Sequence, residues 1–528
     1  MLFNSIQFLV FFIVVTLAYF SLSWRGRWIL LLAASCYFYM VFKPVFILIL
    51  FGTIVIDYYA GIWIAQTQDQ KRKKLLLIIS LISNIGILCF FKYYNFLEDS
   101  VNQVLQSIGF RPMIPHLERV IPQSVLVWMV DNANHVLLPI GLSFHTFQAM
   151  SYTIEVYRGN QKPERHFGIY ALYVMFYPQL VAGPIERPQN MLYQFHSYFK
   201  YDFELVKSGL MQMAFGFFKK IVIADRLSQV VDHAYSAPAE QNGLTLVTAM
   251  AFYSFQIYCD FSGYSDIAIG AARVMGFNLM DNFRSPYESK SVAEFWGRWH
   301  ISLSTWFRDY LYIPLGGNRK GELKKYRNQF IVFLVSGLWH GPFWQFVVWG
   351  GLHGTYQVTA ALRDKWLKNA GISIPDNAVL RLCNTLVTFS LVTLTWVFFR
   401  NNITKSLTIL KKVTTISLSD KISTPFNQVE MWFCVFLIFF LLVKEHYYQN
   451  IPTKNTTAFF VLFVTLSFAV YFLGVFITNQ FIYFQFWFWL CHIFKLARKG
   501  LFHTSNFCHA DRKNRQVLFL KTDLLNQQ

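Results

Sequence analysis

One imidazole lies in the middle of the apolar, aromatic segment FLVSGLWHGPFWQFVVWGGLHG, which runs from Phe333 to Gly354. An ionisable side chain inside a membrane-length segment is costly, so it is a candidate for function by default. A neutral imidazole accepts a proton near pH 7, and histidine is the most frequent general base in enzymes. His340 is therefore a candidate general base. A histidine that only packs between helices is the alternative that residue type leaves open.

A second imidazole, His300, lies in FWGRWHISLSTWFRDYLYIPLGGNRKG, from Phe295 to Gly321. This segment is too polar for a lipid-exposed helix and too aromatic for an ordinary loop. Its composition is typical of a groove that has aromatic walls and cations for an anionic ligand. The alternative is an interfacial belt of aromatic residues whose arginines reach water. The candidate substrate-binding residues are Trp299, Arg308, Asp309 and, beside the first histidine, Trp339.

Two carboxylates, Asp260 and Asp266, lie in the apolar segment YSFQIYCDFSGYSDIAIGAARVMGF. Buried carboxylates need partners, and Arg273 or a histidine from another segment would serve. The two aspartates could orient a catalytic histidine, carry protons or tie helices together, and we favour the structural tie. Asp260 is also kept as a candidate substrate-binding residue.

Several enzyme signatures are missing from the chain. The motifs GxSxG, P-loop and HExxH do not occur, and none of the 13 histidines is followed by aspartate at the spacing HxxxxD. The seven cysteines show no paired spacing typical of zinc ligands or of a disulfide framework. A serine nucleophile and a metal site are therefore not predicted, and histidine general-base chemistry is favoured.

Composition identifies the elements that must hold these residues. The chain is 55% hydrophobic and 14% charged, with a mean hydropathy of +0.35, whereas soluble proteins carry about 25% charged residues. We predict an all-α polytopic membrane protein in the lipid bilayer. The apolar runs, one of them Phe330–Gly354, suggest about 10 to 12 transmembrane or re-entrant helices at about 20 residues per crossing.

The positive charge of the chain predicts its orientation. Lys and Arg number 47 against 28 Asp and Glu, for a net charge of +19. In a soluble protein this excess would suggest nucleic acid, but cytoplasmic loops of membrane proteins collect the same residues. Basic residues follow the first apolar run (Arg25, Arg27) and the third (Lys71–Lys74), and a third basic loop is Gly316–Asn328. We therefore predict no nucleic-acid partner, cytoplasmic basic loops and an N-terminus outside.

Four motifs, taken together and in this order, resemble the membrane-bound O-acyltransferases. They are PIGLSFHTFQAMSYTIEVYRG (Pro139–Gly159), YPQLVAGPIERP (Tyr177–Pro188), FWGRWHISLSTWFRDYLYIPLGGNR (Phe295–Arg319) and SGLWHG (Ser336–Gly341). The resemblance is to the bacterial branch that holds the alginate O-acetyltransferase membrane subunit. It covers roughly residues 1–486, which we predict to be one acyltransferase domain. The basic tail 487–528 has no counterpart in the family and is expected to be solvated or to lie on the lipid surface.

The resemblance implies a funnel-like helical fold in which two histidines face a buried tunnel. His340 matches the active-site histidine of the family, and His300 matches a second, more variable position. It further implies a cytoplasmic thioester donor, acetyl-CoA or another acyl thioester, with no bound cofactor. The acceptor would be a hydroxyl of an exported polysaccharide, often reached through a periplasmic or surface acyltransferase partner. The expected location is the inner (cytoplasmic) membrane, crossed several times.

Two functions of other classes compete with acyl transfer. A proton-coupled transporter would use Asp260, Asp266, His300 and His340 as a relay, but the chain shows no inverted repeat of the kind that many transporters carry. A membrane scaffold for a secreted acyltransferase would need neither histidine. We favour the acyltransferase.

Overall fold

The computed structural model describes residues 1–110, 114–122, 124, 126, 129–130, 139–319, 321–448, 451 and 453–476. All of them fall in one compact unit, Met1–Ile482. The predicted tail, 487–528, and the last ten residues of the predicted domain lie outside the described residues. Across the described ranges the regular secondary structure is helical, and an isolated antiparallel β-bridge joins Phe283 to Trp299. The predicted all-α class is confirmed.

The described helices of the first part of the chain are α1 (Ile6–Ser21), α2 (Trp24–Met40), α3 (Phe46–Gln66), α4 (Gln70–Leu88), α5 (Tyr94–Ser107), α6 (Leu117–Val120), α7 (Leu142–Arg158), α8 (Phe167–Met175), α9 (Tyr177–Leu180) and α10 (Pro188–His196). Those of the second part are α11 (Phe203–Phe217), α12 (Asp225–Ser236), α13 (Gly243–Val274), α14 (Val292–Arg298), α15 (Ile301–Phe307), α16 (Glu322–His340), α17 (Trp344–Asn369), α18 (Ala378–Arg400), α19 (Ile403–Val413), α20 (Gln428–Tyr447) and α21 (Thr456–Leu473).

Asparagine starts several of these helices. An asparagine side chain at the N-cap accepts a hydrogen bond from a backbone N–H that the helix leaves unsatisfied. Five described helices begin in this way, with the N–H donated from three residues further on: Asn242, Asn377, Asn402, Asn427 and Asn455. Helix starts in the second part of the chain are therefore encoded locally.

Within the described ranges, four helical stretches are long and apolar enough to cross a bilayer. They are Phe46–Gln66, Gln70–Ser107, Ala378–Arg400 and Thr456–Leu473. The last of them is only 6% buried over its most apolar window, as expected of a helix that faces lipid. These stretches agree with the prediction of a polytopic membrane protein.

Paired glycines bring α11 against α13. A Cβ atom on Gly209 would lie 2.7 Å from the carbonyl oxygen of Gly270, and one on Gly216 would lie 2.7 Å from that of Gly263. The two glycines are seven residues apart in each helix, so both contacts fall on one face. Small residues allow this close backbone approach in membrane helix pairs. The contact fixes α13, which carries Asp260 and Asp266.

The apolar run Phe330–Gly354, predicted as a candidate transmembrane or re-entrant segment, is divided between two helices. α16 ends at His340, Gly341 is extended with φ −169° and ψ 157°, and α17 begins at Trp344. Pro342 explains the break, since proline has no N–H to donate and disfavours helical geometry in the residue before it. Gly337 and Gly350 then let the two helices pack backbone to backbone. His340 is therefore the last residue of a helix, and not the middle of one.

In the part of the chain that the structure describes, three π-helical turns interrupt the helices: Cys89–Tyr93, Phe218–Ala224 and Arg308–Tyr312. Such turns are rare and frequently lie at functional sites. Each of these carries charged residues that enter the polar clusters described below, namely Lys92, Lys219 with Lys220, and Arg308 with Asp309.

Candidate active site around two buried histidines

His340 lies in a wall of aromatic rings. Its imidazole centroid is 5.0 Å from that of Trp339, 5.1 Å from that of Trp349 and 5.1 Å from that of Phe399. Trp349 comes from α17 and Phe399 from α18, and both rings meet the imidazole edge to face. His340 is only 7% exposed. Three successive helices therefore enclose the imidazole and keep bulk water away from it.

His300 is held by a short backbone pairing. The N–H of Arg284 donates to the carbonyl of Arg298 at 3.0 Å, and the N–H of Ile301 donates to the carbonyl of Asn282 at 2.9 Å. The Ser302 hydroxyl donates to the Asn282 side chain at 2.6 Å. Between these bonds His300 has φ +45°, a left-handed conformation that is uncommon for a residue other than glycine. Strained backbone of this kind clusters at functional sites.

Both nitrogens of the His300 ring are buried, and the described residues offer neither of them a hydrogen-bond partner. The ring lies instead among Phe261 at 4.6 Å, Trp339 at 6.2 Å and Phe144 at 6.3 Å between centroids. Buried polar atoms are nearly always hydrogen-bonded, so an exception needs an explanation such as a ligand or a catalytic role. The arrangement leaves His300 ready to donate to, or accept from, a bound molecule.

Trp339 connects the two histidines. Its ring lies beside both imidazoles. The histidine cluster, as we name it, consists of His300, His340, Trp339, Trp349, Phe399, Phe261 and Phe144. Such a cluster can accept a proton on an imidazole in a setting from which bulk water is largely excluded.

Trp299 shares the His300 turn but packs elsewhere. It is 2% exposed and lies 5.0 Å from Trp396 and 5.4 Å from Phe295 between ring centroids. Trp396 in turn stacks on Trp349 at 5.9 Å. Trp299 therefore supports the outer layer of the histidine cluster.

Asp309 lines an open cavity at the surface, and Arg308 contacts Asp309. Asp309 is 3.1 Å from Arg187 and 2.8 Å from Arg308, whose side chain is 61% exposed. Arg158 and Tyr310 line the same cavity. These two predicted site residues are therefore not brought directly against the histidines.

A column of rings nevertheless links this cavity to the cluster. Tyr310 contacts Trp306 at 5.0 Å, Trp306 stacks on Phe147 at 3.7 Å, and Phe147 stacks on Trp339 at 5.3 Å. The Trp306 N–H also donates to the carbonyl of Phe147 at 3.1 Å and to the Ser151 hydroxyl at 2.9 Å. The column is rigid packing between the cavity and the site.

Asp260 and Asp266 bind lysines of the π-helical turn that follows α11. Lys220 lies 2.5 Å from Asp260 and 2.8 Å from Asp225, and Lys219 lies 2.5 Å from Asp266. The sequence had suggested Arg273 or a histidine as the partner, whereas Arg273 donates to Ser208 at 3.1 Å. We name these five residues (Lys219, Lys220, Asp225, Asp260, Asp266) the lysine–carboxylate cluster. The lysines were missed because nothing local marks which charged residue faces inward.

Two further residues of this region were missed in the sequence. His353 is fully buried, but Trp296 donates to its Nδ1 at 3.3 Å and Thr395 lies 2.9 Å from its Nε2, so both nitrogens are used in packing. Lys92 is also buried, and its ammonium donates to the carbonyl of Trp339. A lysine in an otherwise apolar run is a signal from which Lys92 could have been predicted as a functional residue.

One group of metal-ligand type occurs among the described residues: Glu98, Asp99 and His116, with ligand atoms within 4.8 Å of one another. His116 Nδ1 lies 3.1 Å from the Glu98 carboxylate. That ion pair is enough to account for the grouping. None of the three was predicted as a site residue.

Comparison with known proteins gives a family. Residues 16–401 match the model described as MBOAT, membrane-bound O-acyltransferase family. The chain is 39% identical to the protein named Probable alginate O-acetylase AlgI of Pseudomonas aeruginosa, over 76% of this chain and 72% of that one. It is 33% identical to the peptidoglycan O-acetyltransferase of Helicobacter pylori, over 92% of this chain and 98% of that one. A teichoic acid D-alanyltransferase of Streptococcus thermophilus is 29% identical over 51% of this chain.

Proposed function

The chain belongs to the membrane-bound O-acyltransferase family, and we propose that it transfers an acetyl group from a cytoplasmic thioester toward hydroxyls of an exported polysaccharide, with His340 as general base. The observation that carries the proposal is the histidine cluster, in which two buried imidazoles flank one tryptophan and both nitrogens of His300 lack partners among the described residues. The His300 imidazole, whose two nitrogens have no hydrogen-bond partner among the described residues, is available for chemistry.

The reaction needs one proton acceptor. His340 takes the proton of the acceptor hydroxyl as that oxygen attacks the thioester carbonyl carbon. The C–O bond forms, the C–S bond breaks, and the thiolate leaves and takes up the proton from His340. His300 orients the acceptor or donates to the developing oxyanion through one of its ring nitrogens. Preorganised donors in a dry site stabilise such charge strongly.

The relatives support the proposed substrates. Proteins named for O-acetylation of alginate and of peptidoglycan match this chain over most of its length. Both acceptors are glycans outside the cytoplasm, which supports an exported polysaccharide as acceptor and acetyl as the group. The donor is acetyl-CoA or another acyl thioester. A periplasmic or surface acyltransferase completes transfer as partner.

The basic residues support the proposed orientation. Arg27 stacks over Tyr198 at 4.1 Å and donates to the carbonyl of Phe199, so the α1–α2 turn and the loop after α10 share one side of the membrane. Cytoplasmic loops collect Lys and Arg. We therefore place this side in the cytoplasm and the N-terminus outside, with the protein in the inner (cytoplasmic) membrane. Trp299, Trp339, Arg308 and Asp309 are proposed to line the path of the substrates.

A proton relay through Asp260 and Asp266 receives little support. Both carboxylates lie in short ion pairs with lysines. Each carboxylate is already the partner of a buried ammonium, which is the arrangement expected of a structural tie between helices. Asp260 is therefore proposed to hold structure near the substrate path, and not to contact substrate.

The proposal is tested in a strain that lacks this protein. Complementation with wild type restores O-acetyl ester on purified envelope or secreted glycans, and the acetylated glycan identifies the acceptor. His340→Ala at matched protein level should leave the ester at the level of the deletion strain. His446→Ala is the matched control, because that histidine is 62% exposed and its Nδ1 contacts Glu288, outside the histidine cluster. Full restoration of the ester by His340→Ala would overturn the proposal.

A further inference from the structure

The end of α16 receives two hydrogen bonds from another part of the chain. The last four carbonyls of an α-helix have no partner within the helix. Two of those in α16 accept from consecutive residues of the Cys89–Tyr93 turn: the Tyr93 hydroxyl donates to Leu338 at 2.6 Å, and the Lys92 ammonium donates to Trp339. The π-helical turn therefore caps the helix whose last residue is His340.

Lys92 is an unusual residue to find at this position. It is 7% exposed, in a helical stretch with a mean hydropathy of 2.2 over its most apolar window. A buried ammonium in such a segment is costly, and it is retained mainly where it has a role. Its ammonium also lies 3.4 Å from the Ser143 hydroxyl on α7 and 5.8 Å from the Trp339 ring. It therefore joins α7 and α16 at the site.

The contact reaches the two imidazoles through one residue. The Trp339 carbonyl accepts from Lys92, and the Trp339 ring lies 5.0 Å from His340 and 6.2 Å from His300. A cation is favourable at a helix C-terminus, and a charge-assisted hydrogen bond is stronger than a neutral one. Loss of Lys92 would remove the hydrogen bond that restrains the Trp339 peptide. The neighbouring His340 imidazole would then no longer be held in one orientation.

We propose that Lys92 is a positioning residue for His340, which fixes the C-terminal turn of α16 through the Trp339 carbonyl. The inference rests on the proposed acyl transfer, because its kinetic consequence is measured in that reaction. Lys92 acts on the reaction through His340 and does not contact substrate.

The kinetic test uses the purified full chain in lipid and three variants. Lys92→Met should lower kcat about 100-fold with KM for the thioester unchanged, because misplacing a catalytic group by about 1 Å has an effect of this size. Lys92→Arg, which keeps a cation, should recover at least about tenfold of that loss. Tyr93→Phe removes the neighbouring, neutral bond and should cost less than about tenfold.

A second readout does not need activity. Hydrogen exchange of the peptide 334–343 should be faster in Lys92→Met than in wild type and faster than in Tyr93→Phe. If wild type transfers no acyl group, the proposed function fails, whereas this exchange still decides on Lys92. If Lys92→Met does not fold, Lys92→Gln replaces it and must lower kcat at least about tenfold.

Three results would overturn the inference. One is a kcat of Lys92→Met equal to that of wild type. Another is a loss of activity that is fully explained by a smaller amount of folded protein, with no kcat recovery in Lys92→Arg. The third is unchanged hydrogen exchange at the end of α16.

Discussion

Two groups of buried ionisable residues contact α13 at consecutive positions, and they differ in whether their polar atoms have partners. Asp260 enters the lysine–carboxylate cluster, where Lys220 lies 2.5 Å from it. Phe261, the next residue, lies 4.6 Å from the His300 ring, whose nitrogens have no partner among the described residues. The first group has its charges paired. In the second, the His300 nitrogens lie among aromatic rings without a hydrogen-bond partner in the described residues.

We infer that the difference separates groups that hold the fold from groups that are proposed to do chemistry. Buried charges persist when they are paired, and removing one partner leaves a charge without compensation. A buried imidazole without bonds contributes little to stability, so its presence indicates another use. His353, whose two nitrogens are both engaged, belongs with the first group although it is a histidine in the same region.

The largest effect on stability is expected in the lysine–carboxylate cluster. Lys220→Met leaves Asp225 and Asp260 without their shared ammonium, which should cost about 3–5 kcal/mol of unfolding free energy. Thermal unfolding in detergent measures the loss. The double variant Lys220→Met with Asp260→Asn should recover part of it. Wild-type stability in Lys220→Met would contradict the structural role of the cluster.

A smaller loss is expected where α11 meets α13. Gly216→Ala places a methyl group against the carbonyl of Gly263, and overpacking of this kind typically costs about 1–3 kcal/mol. Gly52→Ala is the matched control, since its Cβ would meet nothing within 4 Å. A midpoint of unfolding equal in the two variants would show that the glycine contact is not tight.

The His300 backbone gives a more discriminating test of about 1 kcal/mol. Glycine adopts positive φ more readily than alanine, so His300→Gly should be more stable than His300→Ala by about 1 kcal/mol. This reverses the order expected inside an ordinary helix. Both variants should lose acyl transfer. If alanine gives the more stable variant, the left-handed conformation of His300 is incorrect.

The smallest effect is expected at the surface cavity. Asp309→Asn breaks partly exposed ion pairs with Arg187 and Arg308, and such pairs are worth about 0–1 kcal/mol. Unfolding should therefore change little, which separates this cavity from both buried groups. A loss of more than about 2 kcal/mol of unfolding free energy would show that Asp309 stabilises the fold as strongly as the lysine–carboxylate cluster does.

Much of the fold was readable in the sequence, because apolar runs and asparagine caps are local signals. The helical class, the membrane location and the family follow from them and from four motifs. Gly341 and Pro342 indicate the break after His340 locally. From length alone, the two helices that flank this break were predicted as one candidate span.

The candidate site was only partly readable. His300 and His340 were marked by residue type and motif, and Trp339 by its place beside one of them. Lys220 and Lys92 contribute through contacts between segments far apart in the chain. Which of several basic residues faces inward depends on helix rotation and on π-helical turns, and one sequence does not specify these. The same limit hid the engaged nitrogens of His353.

The most direct test of the account is acyl transfer by the purified protein in proteoliposomes, measured in a single turnover with a labelled acetyl thioester and a glycan acceptor. We expect His340→Ala to lower the rate by about 10²–10⁴-fold. The thermal midpoint of this variant should stay close to that of wild type, and His446→Ala should transfer normally. A rate for His340→Ala within about twofold of wild type would contradict the role of His340 as general base.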